Sequence, residues 1–128
     1  MTQGPDGAAR TRKFRQAAFV YLHVGILYEV GVVVLARQGL IPPGRGPLWV
    51  WLLVGAAIVA VVFWALWRWQ NAWVARVVWA VHALRLPALL AGAFFPEPGA
   101  AVPPSLYLLA TAVVLVNLWM LARAGWDL

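Results

Sequence analysis

The stretch FVYLHVGILYEVGVVVLA, Phe19 to Ala36, decides the fold. With its upstream neighbours it is long enough to cross the hydrocarbon core of a bilayer, which takes about 20 predominantly apolar helical residues. Two of its side chains, His23 and Glu29, are ones that lipid disfavours. An ionisable group at that depth costs ~2.5–3.5 kcal/mol on insertion scales, so each needs a partner or a role.

The composition points the same way. The chain has 128 residues, of which 64% are hydrophobic and 11% charged. Soluble domains hold roughly 45–50% apolar and about 25% charged residues, and a bundle of this length has too much surface to hide the excess. The length allows one domain. There is no cysteine, which excludes disulfides, thiolate metal sites and a cysteine nucleophile. The net charge of +6 would suit nucleic acid, but Arg10, Arg12, Lys13 and Arg15 stand just before the first apolar run. That is where a membrane protein carries its orientation signal. The apolar run from Ala17 to Ala36 is 20 residues, longer than the roughly 7–15 of a signal-peptide core, and is read as an uncleaved span.

Four segments qualify as spans: Phe14–Ala36, Leu48–Trp67, Val74–Phe95 and Ser105–Ala122. The Pro- and Gly-rich links RQGLIPPGRGP and PEPGAAVPP separate the outer pairs, while RWQNAW between spans two and three has neither residue and reads as a tight corner. The expected fold is an all-α integral membrane protein, a four-helix up-down bundle over residues 14–126, preceded by a disordered basic segment, residues 1–13. With the amino terminus inside, Arg10, Arg12, Lys13, Arg15, Arg68, Arg76 and Arg123 fall on the inner face, and only Arg37 and Arg45 on the outer. Seven against two predicts that both termini are cytoplasmic, in a multi-pass protein of the plasma or cell inner membrane. Trp49 and Trp51 would mark the outer interface, and Trp64, Trp67, Trp69, Trp73, Trp119 and Trp126 the inner one.

The polar residues within the spans define the candidate site. At ~1.5 Å per residue, His23 and His82 lie at a depth of roughly 13 Å, with Asn117 slightly nearer the inner face, Arg85 about 18 Å in and Glu29 about 22 Å in. A Glu29–Arg85 ion pair would relieve both charges and bring spans one and three together. His82 and Arg85, three apart, share a helix face. Pro87 removes a backbone donor, frees the Ala83 carbonyl and predicts a kink beside them. Small residues spaced for close helix approach occur at Ala56 and Ala60 and at Ala88 and Gly92. FRQAAFVYLHVG and WVARVVWAVHAL share an Arg followed by a His, though the halves diverge beyond that.

Three functions fit. The first is an accessory or oligomerising membrane subunit whose partners are the lipid bilayer and other transmembrane helices. The second is a small proton-coupled transporter or lipid- or ligand-binding bundle using Glu29 and Arg85. The third is a b-type haem electron-transfer subunit with His23 and His82 as axial ligands, one from each of two diagonal spans. No cofactor is required by the first two, and the only metal in prospect is that haem iron. No phosphate loop, paired catalytic carboxylates or zinc motif occurs, and Ser105 is the single serine, so no enzymatic activity is expected. The loops are too short to bind nucleic acid. Four spans with a membrane-embedded glutamate in the first resemble the small multidrug resistance family in layout, which would imply proton-coupled export through Glu29. The seven-to-two charge bias departs from the dual orientation some members adopt, and Arg85 would neutralise the glutamate.

Overall fold

The structure, a computed structural model, describes residues 4–40 and 46–128. Residues 1–3 and most of the first interhelical loop, including Pro42, Pro43 and Arg45, lie outside the described residues, as do the readings placed on them. The described residues form five helices and no strand: α1 (Pro5–Arg37), α2 (Leu48–Trp67), α3 (Ala72–Ala83), α4 (Leu86–Phe94) and α5 (Pro104–Trp126). Helices α3 and α4 together make one stretch, Ala72–Phe94, so four helical segments are long and apolar enough to span a membrane.

Helix α1 begins at Pro5, nine residues before the expected start of span one, which corrects the reading of residues 5–13 as disordered. Proline is favoured at the first helical position, Asp6 in the first turn complements the helix dipole, and Ala8, Ala9, Arg10, Arg12 and Lys13 are good helix formers. Tertiary bonds then hold the extension. Arg10 donates to the Gln70 carbonyl at 3.1 Å, Gln70 Nε2 donates to Thr11 Oγ1 at 3.1 Å, and Lys13 Nζ meets Asp127 Oδ1 at 2.9 Å. These contacts were invisible in the sequence because they cross more than 55 residues.

Helix α2 spans the expected residues. The corner after it turns on Gln70, whose φ of 50° takes the left-handed conformation usually left to glycine. Asn71 then caps α3, its side-chain oxygen accepting from the backbone N–H groups of Trp73 and Val74 at 2.9 and 3.2 Å. The kink expected beside Pro87 is present: the helix breaks at Leu84 and Arg85, with Arg85 N–H donating to the His82 carbonyl at 3.1 Å.

Helix α1 packs on α2 and α5, and both α3 and α4 pack on α5, while α2 meets span three only briefly along α3. This is the cyclic order of an up-down bundle, with spans one and three diagonal. Its packing is uneven. The core consists of Phe14, Ala17, Ala18 and Tyr21 of α1, Leu66 of α2, Ala75 and Val78 of α3, and Leu121 and Ala124 of α5, all toward the end that carries both termini. Alanines and Gly125 let the helices approach closely there. Farther along, α4 has no buried residue and α2 buries only Ala65 and Leu66 near its carboxyl end. The bundle is closed at one end and open at the other.

Candidate functional site

Glu29 and Arg85 do not pair. Among the described residues the one ion pair is Lys13–Asp127. The cause is rotational. Glu29 sits four residues after Gly25 on the α1 face that meets α2, and its carboxylate lies against Gly55 where a β-carbon would be. Gly25 opens the same seam, since a β-carbon there would come within 2.7 Å of Val59 Cγ2. Tyr28, ~100° round the helix, faces span three instead. The Arg85 guanidinium lies over the Tyr28 ring, 5.3 Å from its centroid. One residue of phase thus replaces the expected ion pair with a cation–π contact.

Spans one and three still touch, through aromatic contacts that the sequence reading missed. Tyr21 meets His82 edge-on at 5.8 Å between ring centroids, two turns before the Tyr28–Arg85 contact. The available signal was the spacing of Tyr21 and Tyr28, seven apart and so on one face, each joining an apolar body to a polar tip.

The histidines differ in surroundings. His82 is half-buried, and its Nδ1 lies 2.8 Å from the Val78 carbonyl. His23 is exposed, stacked on Phe19 at 4.3 Å, with Nδ1 2.8 Å from the Phe19 carbonyl. A carbonyl only accepts, so in each ring Nδ1 carries the proton. Tyr21 is buried and His23, ~200° further round α1, points outward. The two imidazoles therefore do not face each other across the interior of one chain. The likeness between FRQAAFVYLHVG and WVARVVWAVHAL is likewise not one of environment.

Asn117 is fully buried, and among the described residues neither its Nδ2 nor its Oδ1 has a hydrogen-bond partner. It does not join Glu29, Arg85 or His82 in one cluster. Of the small-residue pairs, Ala56 and Ala60 face outward, whereas Gly92 packs under the Tyr107 ring, 2.6 Å from a notional β-carbon, and holds α4 against α5.

Two surface grooves remain. One, of about 300 Å³, is lined by Glu29, Val30, Val33, Val34 and Leu52, so the carboxylate is the single ionisable group in an apolar cleft between α1 and α2. The other, of about 440 Å³, lies at the closed end between α1 and Trp67. Of the tryptophans expected at interfaces, Trp49 and Trp51 at one end of α2 and Trp64, Trp69, Trp73, Trp119 and Trp126 toward the other end of the bundle are exposed, whereas Trp67 is half-buried against the core.

No protein-family model matches this chain, and no curated protein or solved structure matches it significantly.

Proposed function

We propose that this chain is an oligomerising or accessory subunit of a membrane, inserted as four spans with both termini cytoplasmic, and that copies associate through Glu29 of one and Arg85 of the next. Insertion follows from four long apolar helices whose large hydrophobic side chains face outward, Trp49, Trp51, Ile58, Val61, Leu84 and Leu109 among them. Orientation follows from the basic residues that gather at the closed end.

The carrying observation is that Glu29 and Arg85 lie on different faces of the bundle, neither in an ion pair among the described residues; residue counting puts both at membrane depth. Each is costly in lipid alone. An acid on one face and a base on another form a head-to-tail complement, which closes into a ring when the rotation permits. The pairing that the sequence invites within one chain is available between chains. Native mass spectrometry from mild detergent tests this. Wild type should appear as a multimer of the 14.0 kDa chain, and Glu29→Gln or Arg85→Gln should shift it toward monomer. A wild-type monomer would overturn the reading.

A second reading draws on the groove at Glu29. An apolar cleft with one carboxylate suits a lipophilic cation exchanged against a proton. Loss of cation export in Glu29→Gln, with assembly intact, would favour it. Haem ligation is not proposed, because His23 points away from the interior.

A further inference from the structure

The groove at the closed end has a composition that none of the foregoing uses. It is lined by Ala8, Thr11, Arg12, Arg15, Gln16 and Phe19 of α1, facing Trp67 at the end of α2. Positions 8, 12, 15, 16 and 19 repeat at helical spacing, so one face of α1 supplies almost the whole wall. Phe19 is the deepest of these along α1, and the arginines sit one and two turns toward the amino terminus.

The electrostatics are one-sided. No acid lines the groove. Arg15 lies over the Trp67 ring at 5.0 Å, which leaves its charge uncompensated by any carboxylate. Arg12 is exposed and makes no hydrogen bond, ion pair or ring contact with any described residue. Arg123 reaches the rim by donating to Gln16 Oε1 at 3.2 Å. Asp127, which caps the carboxyl end of α5, is taken by Lys13. Beneath the charges the surface is aromatic, with Phe63 stacked on Trp67 at 5.6 Å one turn deeper.

From this we infer that the groove binds an anionic phospholipid. The headgroup phosphate is held between Arg12 and Arg15, and an acyl chain descends past Phe19 and Trp67. The match is one of both charge and polarity along a single axis: guanidinium groups suit phosphate bidentately, and the floor below them is apolar. Tryptophan and arginine at one level are what the headgroup boundary of a bilayer selects. The inference rests on the inserted, inner-facing placement of the closed end given above. It does not depend on association between copies.

Purified full-length protein, delipidated in non-ionic detergent, is titrated with phosphatidylglycerol, phosphatidylcholine or inorganic phosphate, and bound lipid is read by native mass spectrometry. Phosphatidylglycerol should be retained at least ~10-fold more tightly than phosphatidylcholine, basic residues near an anionic surface each contributing about a factor of five. Arg12→Gln should weaken it ~5-fold and Arg12→Gln/Arg15→Gln ~25-fold, while Arg68→Gln, outside the groove, leaves it unchanged. Since Arg12 makes no hydrogen bond, ion pair or ring contact with a described residue, its replacement removes charge without breaking any of these. Equal losses in Arg68→Gln would overturn the site in favour of a diffuse basic surface. Displacement of phosphatidylglycerol by equimolar inorganic phosphate would overturn the lipid as ligand. Resistance of the chain to alkaline extraction from membranes tests insertion separately, so failure there is distinguishable from failure of the groove.

Discussion

The carboxylate of Glu29 rests against the backbone of Gly55, in space that any side chain at position 55 would claim. The same seam between α1 and α2 is held closer to the termini by Gly25 against Val59. These two contacts differ in what can yield. A glutamate end swings away at little cost, whereas a β-branched valine has few rotamers to retreat to.

Substitution of the helical glycines should therefore rank in order. Alanine gains about 1 kcal/mol over glycine in a helix interior, which overpacking of 1–3 kcal/mol can outweigh. Gly55→Ala should be close to neutral in thermal unfolding from detergent. Gly25→Ala, against Val59, and Gly92→Ala, against the Tyr107 ring, should each destabilise by up to about 2 kcal/mol net. Equal effects at positions 25 and 55 would contradict the geometry of the α1–α2 seam.

Arg85 should couple to Tyr28 and not to Glu29 within one chain. A double-mutant cycle of Tyr28→Leu with Arg85→Met, measured on the dissociated monomer, should give about 0.5–2 kcal/mol of interaction. The cycle of Glu29→Gln with Arg85→Gln on the same monomer should give less than about 0.5 kcal/mol. A larger value for the second cycle would restore the intrachain ion pair.

Asn117 is a buried amide with both polar atoms unpaired, a state that costs about 1–3 kcal/mol. Asn117→Leu should hold or raise the unfolding temperature while preserving helicity. A loss of more than about 3 kcal/mol, beyond what the added volume of leucine costs, would contradict an unpaired amide.

The Lys13–Asp127 bridge should confer a modest acid sensitivity. The Lys13 ammonium, by hydrogen bond and by charge, holds the Asp127 carboxyl below its ordinary value. A depressed folded pKa gives stability that is complete above the unfolded value of about 3.9 and lost as pH falls through the lowered folded one. The bridge is exposed and screened, so the effect is small. Unfolding profiles of wild type and Asp127→Asn should converge in acid and separate, with wild type the more stable, toward neutral pH.

Much of this architecture was legible because long apolar runs and Pro-Gly breaks are strong signals. The bounds of α2 and the break before Pro87 were readable from LWVWLLVG…FWALW and HALRLP. The amino-terminal turns of α1 were not, since Thr11, Arg10 and Lys13 are ordered by Gln70 and Asp127, far away in the chain. At the candidate site, depth was readable from residue counting but azimuth was not. Glu29 and Arg85 lie near one level, yet a single residue of helical phase hands Arg85 to Tyr28 and turns Glu29 toward Gly55. The spacing of Tyr21 and Tyr28 hints at that rotation, but apolar residues surround them on every side of α1, so residue counting alone does not fix it.

The central claim is that copies of this chain meet through the Glu29 face of one and the Arg85 face of another. The native chain has no cysteine, so Val33→Cys, in the groove beside Glu29, and Ala88→Cys, one turn from Arg85, can be introduced in separate copies and co-expressed. Mild oxidation in membranes should yield a disulfide-linked pair containing one chain of each kind. Chains cross-linking no more than a control with Val61→Cys, on the outward face of α2, would contradict it.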